Sequence, residues 1–406
     1  MNIGIICEKL NVGRHGGSNF SIHRLATQLS ERGHKVDVIT LNFEHSNDPP
    51  EDRLYSVVEQ SVDSYTEIDG VWNVLRSLDQ IAEKQDILHV YVPGIQPLFG
   101  WWRLRNGDTP VVGHLNAYTP FCSNSAVMAD GCWKNCTLYK KIAHSDSKGA
   151  RLLEQVPKYV FNNTATMPLM NELDGFIALS PALDDIYNEV GLSNELTQVI
   201  PNMYDPTFKN ETKMNEFSKK EDELRICYVG RVDPQKGVDT LINAILRIDD
   251  LTSFHVDIVG EDILNKGTGI NELRTRVKEN NMGGKVTFHG WINYESLPQF
   301  YAQTDVFVHP GRWPEPFGRT LLEALQHDCA IIASEVGAPP WIAGEAGLTF
   351  PRDDISRLEK QLRRVIQTPE LVEKLQSNAK VELERFNPSE ITDQIERLYE
   401  QTVRND

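Results

Sequence analysis

The sequence predicts two doubly wound α/β domains in series, and three observations predict it. At 406 residues the chain is too long for one ordinary hydrophobic core. Short apolar runs alternate with segments of helical periodicity, the pattern of parallel strands joined by crossover helices. That pattern starts twice, each time as strand, glycine-bearing loop and helix, with a polar stretch between the two starts.

Asn2–Glu8 reads as a buried strand. A loop with Gly13, Gly16 and Gly17 follows, and Ser18 is placed to cap a helix carrying Ile22, Leu25, Ala26 and Leu29 at helical spacing. Gly33 ends that helix and Lys35–Leu41 is the next strand. Further strands are expected at Ile87–Val92, Val111–Leu115, Gly175–Leu179 and Thr197–Ile200. Asp205–Glu223 is rich in Lys, Glu and Asn and reads as a linker. Leu224–Val229 then restarts the pattern, with a helix through Leu241, Ile245 and Ile248. Strands at Phe254–Val259, Lys285–His289, Val306–His309 and Ala330–Ala333 complete the second sheet. Pro388–Arg404 reads as an amphipathic helix through Ile391, Ile395 and Leu398. The expected domains are residues 1–205, with the helix of about 388–406 packing back on them, and residues 206–387. Each sheet is expected to hold its ligand beyond the carboxyl ends of its strands, and two such edges facing each other would form a cleft.

The composition is that of a globular protein, 40% hydrophobic and 24% charged. A formal charge of −17 argues against a nucleic-acid partner. It does not forbid an anionic ligand, because salt screens charges beyond ~8 Å and the few nearby cations decide. No apolar run reaches bilayer-spanning length. The first residues enter a strand with no basic leader, so a cytoplasmic location is expected.

Two motifs carry chemistry. Gly230-Arg231-Val232-Asp233-Pro234-Gln235-Lys236-Gly237 lies past a strand end and before a helix. Two cations at such an edge suit a diphosphate: arginine binds oxygens as a fork and lysine adds a point charge, neutralising a leaving group. A solvated turn with two surface cations is the plainer reading of this stretch alone. The second motif, Pro314-Glu315-Pro316-Phe317-Gly318-Arg319-Thr320-Leu321-Leu322-Glu323-Ala324, follows a strand and opens a helix near Arg319. Free amides at a helix start favour phosphate, and Gly318 leaves room for close approach. Glu315 and Glu323 are carboxylates suited to accept hydrogen bonds from sugar hydroxyls.

These stretches resemble the large retaining glycosyltransferase family of GT-B fold, and the resemblance runs over essentially the whole chain. It implies that Arg231 and Lys236 hold the donor diphosphate, and that Glu315 holds the transferred sugar. It implies that Glu323 meets the nucleotide ribose, and that the backbone after Gly318, at Arg319 and Thr320, meets the diphosphate. Val259-Gly260-Glu261 and His289-Gly290-Trp291 resemble the loops beside the nucleobase, and Gly16-Gly17 the amino-terminal loop that closes over the diphosphate. Phe317 belongs to the same donor frame. His114, at a strand end, resembles the histidine that contacts the donor sugar, although Leu115 and Asn116 follow it where the family commonly has aspartate. Gly337-Ala338-Pro339-Pro340-Trp341 also departs from the family loop, which often carries a second glycine and a glutamate.

The resemblance implies transfer of a hexose-type sugar from a UDP-sugar or GDP-mannose to a glycan or lipid-linked acceptor, with retention. Domain closure would exclude water, and no cofactor or metal is required. An epimerase or hydrolase of the same fold, or a non-catalytic sugar-nucleotide-binding subunit of a synthase complex, is the alternative. Six cysteines do not make a disulfide framework. Cys122, Cys132 and Cys136, with nine and three residues between them, lack the usual C-x2-C zinc spacing. A metal there would need His114 or His144 as fourth ligand. Trp101 and Trp102, with Arg103, Arg105, Lys134, Lys140, Lys141, Lys148 and Arg151, form either a peripheral contact with the inner face of a membrane or a packed pair beside a solvated basic face.

Overall fold

The computed structural model describes residues 1–11, 17–42, 49–61, 77–105, 107–122, 131–137, 164–209, 223–262 and 269–405. They form two compact units, Met1–Met203 with Pro388–Asp406, and Tyr204–Asn387.

The first unit carries β1 (Asn2–Cys7), β2 (Lys35–Asn42), β3 (Ser56–Ser61), β4 (Ile87–Val90), β5 (Val111–Leu115), β6 (Gly175–Ala178) and β7 (Thr197–Val199). The order β3-β2-β1-β4-β5-β6-β7 is parallel throughout and reverses direction at β1–β4. β1 is buried from Ile3 onward and β5 throughout, as expected for strands of a parallel sheet covered on both faces. β3 escaped the sequence reading: Ser56–Ser61 is an edge strand whose side chains are largely exposed, so it lacks the apolar run. Ser18 does not cap the first helix. That helix begins at Gly17 and Ser18 lies within its first turn.

The last helix, Pro388–Asn405, packs on this unit through Ile391, Ile395, Leu398 and Tyr399, all buried in its core cluster. Arg32 bonds to Asp393 and Glu396, and His34 Nε2 lies 2.7 Å from Glu396. Each buried apolar side chain is worth about 1.5–3 kcal/mol and a surface ion pair at most about 1. Apolar burial therefore docks the helix, and the ion pairs set its register.

The second unit carries β8 (Leu224–Val229), β9 (Phe254–Val259), β10 (Val286–Gly290), β11 (Val306–His309), β12 (Ala330–Ser334) and β13 (Gly347–Phe350), in the parallel order β10-β9-β8-β11-β12-β13. β13 also went unread, being a four-residue edge strand beginning with glycine. Asp205–Lys209 is not a solvated linker. Pro206–Lys209 is a 3-10 turn that buries Phe208 against Tyr294, Tyr301 and His327, and Gln326 donates to the Asp205 carbonyl at 2.6 Å. Residues 210–222 lie outside the described chain. Among the described residues no helix is long and apolar enough to cross a membrane.

Candidate functional site

The turn after β8 is built by its own sequence. Asp233 Oδ1 accepts from the Gln235 and Lys236 amides at 3.0 and 3.2 Å, capping the 3-10 turn Pro234–Lys236. The Tyr228 hydroxyl donates to the Arg231 carbonyl at 2.5 Å, which holds the start of the turn. Lys236 is thereby aimed at the loop after β11, where its Nζ donates to Glu315 Oε2 at 2.5 Å. Arg231 lies 3.3 Å from Asp233 with its guanidinium partly exposed.

Glu315 sits in a ring of polar groups. Trp313 Nε1 donates to the same Oε2 at 2.7 Å, and His309 Nε2 is 4.0 Å away. Burial works to raise the Glu315 carboxyl, but Lys236, His309 and the hydrogen bonds from Lys236 and Trp313 hold it below the ordinary glutamate value. Glu315 therefore remains a carboxylate at neutral pH. Burial pushes His309 down to about 4, with Glu315 opposing, so that ring is neutral. The Glu315 backbone is fixed by Gly337: the two form a parallel bridge, and the Ala338 amide donates to the Glu315 carbonyl at 3.0 Å. Gly337 has φ +71°, and a Cβ there would stand 2.5 Å from the Glu315 nitrogen. The loop that departs from the family pattern thus positions the first glutamate.

Gly318 lies beside the Glu315 side chain, where an added Cβ would meet Cγ at 3.7 Å. The helix Arg319–Gln326 starts at once, so its first turn, at Arg319 and Thr320, follows directly on the loop that carries Glu315. Glu323, one turn on, is buried and accepts from the Tyr301 hydroxyl at 2.9 Å. Burial raises its carboxyl, opposed by Arg319 and the Tyr301 and Tyr294 hydroxyls. The two glutamates of the motif thus titrate in opposite directions. Phe317 points elsewhere, into the core against Phe386.

Gly260 and Gly290 meet at the ends of β9 and β10, the Gly260 amide donating to the Gly290 carbonyl at 2.7 Å. A Cβ on Gly260 would fall 1.8 Å from the Gly230 carbonyl oxygen, so close strand-end packing alone demands that glycine. Trp291 beside them is 47% exposed. His289 faces inward, bonded to Asp257 at 2.8 Å.

In the first unit His114 is buried near the end of β5. Its Nδ1 lies 3.0 Å from His89 Nε2, and Tyr91 stacks on its ring at 3.8 Å. Gly17 is the exposed first residue of its helix; Gly16 and His144 lie outside the described chain, as do Lys140, Lys141, Lys148 and Arg151. Trp101 and Trp102 do not form one aromatic face. Trp102 is buried with its Nε1 donating to Asp79 at 2.8 Å, and Arg105 stacks over Trp101. Among the described residues no group of three or more His, Cys, Asp or Glu is placed to hold a metal ion; Cys122, Cys132 and Cys136 are each partly exposed.

His309, Trp313, Tyr301 and Asp233 were not singled out by the sequence reading. Asp233-Pro234 was legible as a cap, and Trp313 only as a neighbour of Glu315. Nothing in the sequence placed His309 or Tyr301 beside the two glutamates.

Residues 209–382 match the family described as glycosyl transferases group 1, and residues 15–208 match glycosyltransferase family 4. A mannosylfructose-phosphate synthase of Agrobacterium fabrum is 31% identical over 170 residues, 37% of this chain and 36% of that protein. The lipopolysaccharide core biosynthesis mannosyltransferase LpsB of Rhizobium meliloti is 29% identical over 202 residues, 47% of this chain and 54% of that protein. The alignments thus span about a third to a half of these relatives' length. The solved structure of Anabaena Alr3699/HepE in complex with UDP superposes with a TM-score of 0.70 at 17% identity, covering 98% of this chain and 99% of that one, a likeness of fold. Two successive parallel-sheet domains, matched in turn by these families, show that the chain belongs to the group 1 glycosyltransferases of GT-B fold.

Proposed function

We propose that the chain is a retaining glycosyltransferase. It moves a hexose-type sugar from a UDP-sugar or GDP-mannose to a hydroxyl of a glycan or glycolipid acceptor, in surface polysaccharide or glycolipid assembly. The observation that carries this is the meeting of Lys236, Glu315 and the helix start at Gly318–Arg319 beyond one sheet's carboxyl ends. An incoming diphosphate offers Lys236 a second, more highly charged partner, and the amides of Arg319 and Thr320 add donors. Glu315, held ionised, accepts from the sugar hydroxyls. Arg231 and Lys236 then balance charge growing on the leaving diphosphate, the largest contribution expected from such a site. With retention, the acceptor attacks on the face the nucleotide leaves, and a diphosphate oxygen takes the acceptor proton. Relatives that assemble lipopolysaccharide support the acceptor class.

A thermal-shift panel of UDP, GDP, ADP and dTDP tests the donor site. A ligand at 100 times its dissociation constant adds about 2.7 kcal/mol of stability, and one nucleotide should stand out. The matching sugar nucleotide, supplied with acceptor glycolipid, should give product with the donor's anomeric configuration by NMR. Absence of a shift with every nucleotide, or rapid donor consumption without acceptor, would sink the reading.

A further inference from the structure

His114, His89 and Tyr399 stand in a buried file drawn from β5, β4 and the last helix. Tyr399 Oη is 2.6 Å from His89 Nδ1, and His89 Nε2 is 3.0 Å from His114 Nδ1. Tyr399 and His89 are 0% exposed and His114 is 3% exposed. The remaining nitrogen, His114 Nε2, is buried and has no hydrogen-bond partner among the described residues. His114 lines a small cavity of about 10 Å³ together with Ser21, Tyr91, Asn202 and Ile395.

Two proton arrangements satisfy both links, and each leaves one buried donor at an end of the file, either the Tyr399 O–H or the His114 Nε2–H. A buried phenol must donate its proton, and His89 Nδ1 is the one hydrogen-bond partner of Tyr399 Oη among the described residues. If Tyr399 accepted instead, its own O–H would be orphaned at a cost of about 1–3 kcal/mol, because Tyr399 does not line the cavity, whereas His114 lines it and its Nε2–H can be met by an oxygen atom there. Tyr399 therefore donates, and His89 Nδ1 is bare. Burial pushes His89 down to about 3, so it is neutral and carries its one proton on Nε2. That N–H donates to His114 Nδ1. Burial, and then His89, hold His114 well below the ordinary histidine value, so it too is neutral and its one proton lies on Nε2.

We infer that Tyr399 and His89 are positioning residues that lock His114 as its Nε2–H tautomer, so that it offers a hydrogen-bond donor, and not a base, to an oxygen atom entering the cavity. The space suits one oxygen atom, close to the least volume that holds a water, and not a sugar ring. Resting on the proposed transfer reaction, that oxygen is a substrate hydroxyl. His114 then orients it and cannot deprotonate it, which leaves the acceptor proton to the diphosphate.

The test separates the tautomer from the reaction. The full chain, labelled with 15N-histidine, is examined without substrate by long-range proton–nitrogen NMR at pH 7, with His114 assigned from H114N. We expect a protonated Nε2 and a bare Nδ1 on His114. In Y399F the file loses its first donor, and His114 should become a mixture of tautomers while the melting temperature moves by only a few degrees. A wild-type His114 protonated on Nδ1, or one whose tautomer ignores Y399F, overturns the lock. If the proposed transfer is observed, Y399F should lower kcat about three- to tenfold with donor KM unchanged. A shifted tautomer with unchanged kcat would overturn the role of the N–H, and absence of transfer in the wild type would refute the reaction while the spectra still decide the tautomer.

Discussion

At the carboxyl end of β5 the polar groups are neutral and share protons in single file: Tyr399, His89 and His114, with a buried nitrogen left over. Beyond the carboxyl end of β11 they are charged: Glu315 and Lys236 pair at 2.5 Å, with Trp313 and His309 around them. Both places are largely buried, yet they solve burial differently. A buried ion without a partner costs several kcal/mol, so the glutamate keeps its lysine. A neutral imidazole costs little until the solution becomes acidic. The difference assigns the work. A charged pair can exchange partners with an anionic ligand, whereas a neutral file can only present a donor or an acceptor.

The largest effect that would break this comparison comes from Lys236. Replacing it with Ala should remove about 2–4 kcal/mol of transition-state stabilisation, a 30- to 1,000-fold fall in turnover. It would also let burial raise Glu315 unopposed by its main cation. Near-normal kcat in K236A would mean that the charged place is structural.

Acid should expose the neutral file next. His89 and His114 bind protons far less readily folded than unfolded, so stability is lost as pH falls below the unfolded value of about 6.5. For His89 the loss continues down to about pH 3. Between pH 6.5 and 5.5 each ring should cost about 1 kcal/mol, roughly 2 kcal/mol together. Urea melts at the two pH values would show it, and the doubly substituted H89N/H114N chain should lose that slope. An unchanged slope would mean the rings are protonated in the folded state.

Gly337→Ala sharpens the charged side. Its Cβ would press on the Glu315 backbone, and about 2 kcal/mol of stability should be lost, together with activity. An unchanged denaturation midpoint would show that Glu315 is not held from that side. Smallest is Trp313→Phe, which deletes one hydrogen bond to an anion, worth about 1.5 kcal/mol. Donor KM should rise about tenfold with the fold intact, and an unaltered KM would remove Trp313 from the site.

Much of the architecture was legible because parallel strands buried on both faces write themselves as apolar runs. β1, β5, β8, β9 and β11 begin and end within a residue or two of their expected bounds. β3 and β13 were not legible, since an edge strand needs apolar side chains on little of its surface. Phe208 hid within a polar stretch, because a single anchoring aromatic leaves no periodicity. In the site, Glu315, Glu323, Lys236 and the helix start at Arg319 could be named from their motif frames and the family resemblance these carry. That Phe317 serves the core, and that Gly337 grips Glu315, could not.

By itself the sequence determined the buried strands of the two sheets, the turn that aims Lys236 and the helix that opens at Arg319, because strand, cap and helix-start signals act over a few neighbouring residues. Only the tertiary structure decided which groups face them: Lys236 reaches across 79 positions to Glu315, and Tyr399 across 310 to His89. Such pairings follow from how whole sheets and helices pack, and the protonation of a buried group follows from those neighbours. No local pattern carries either.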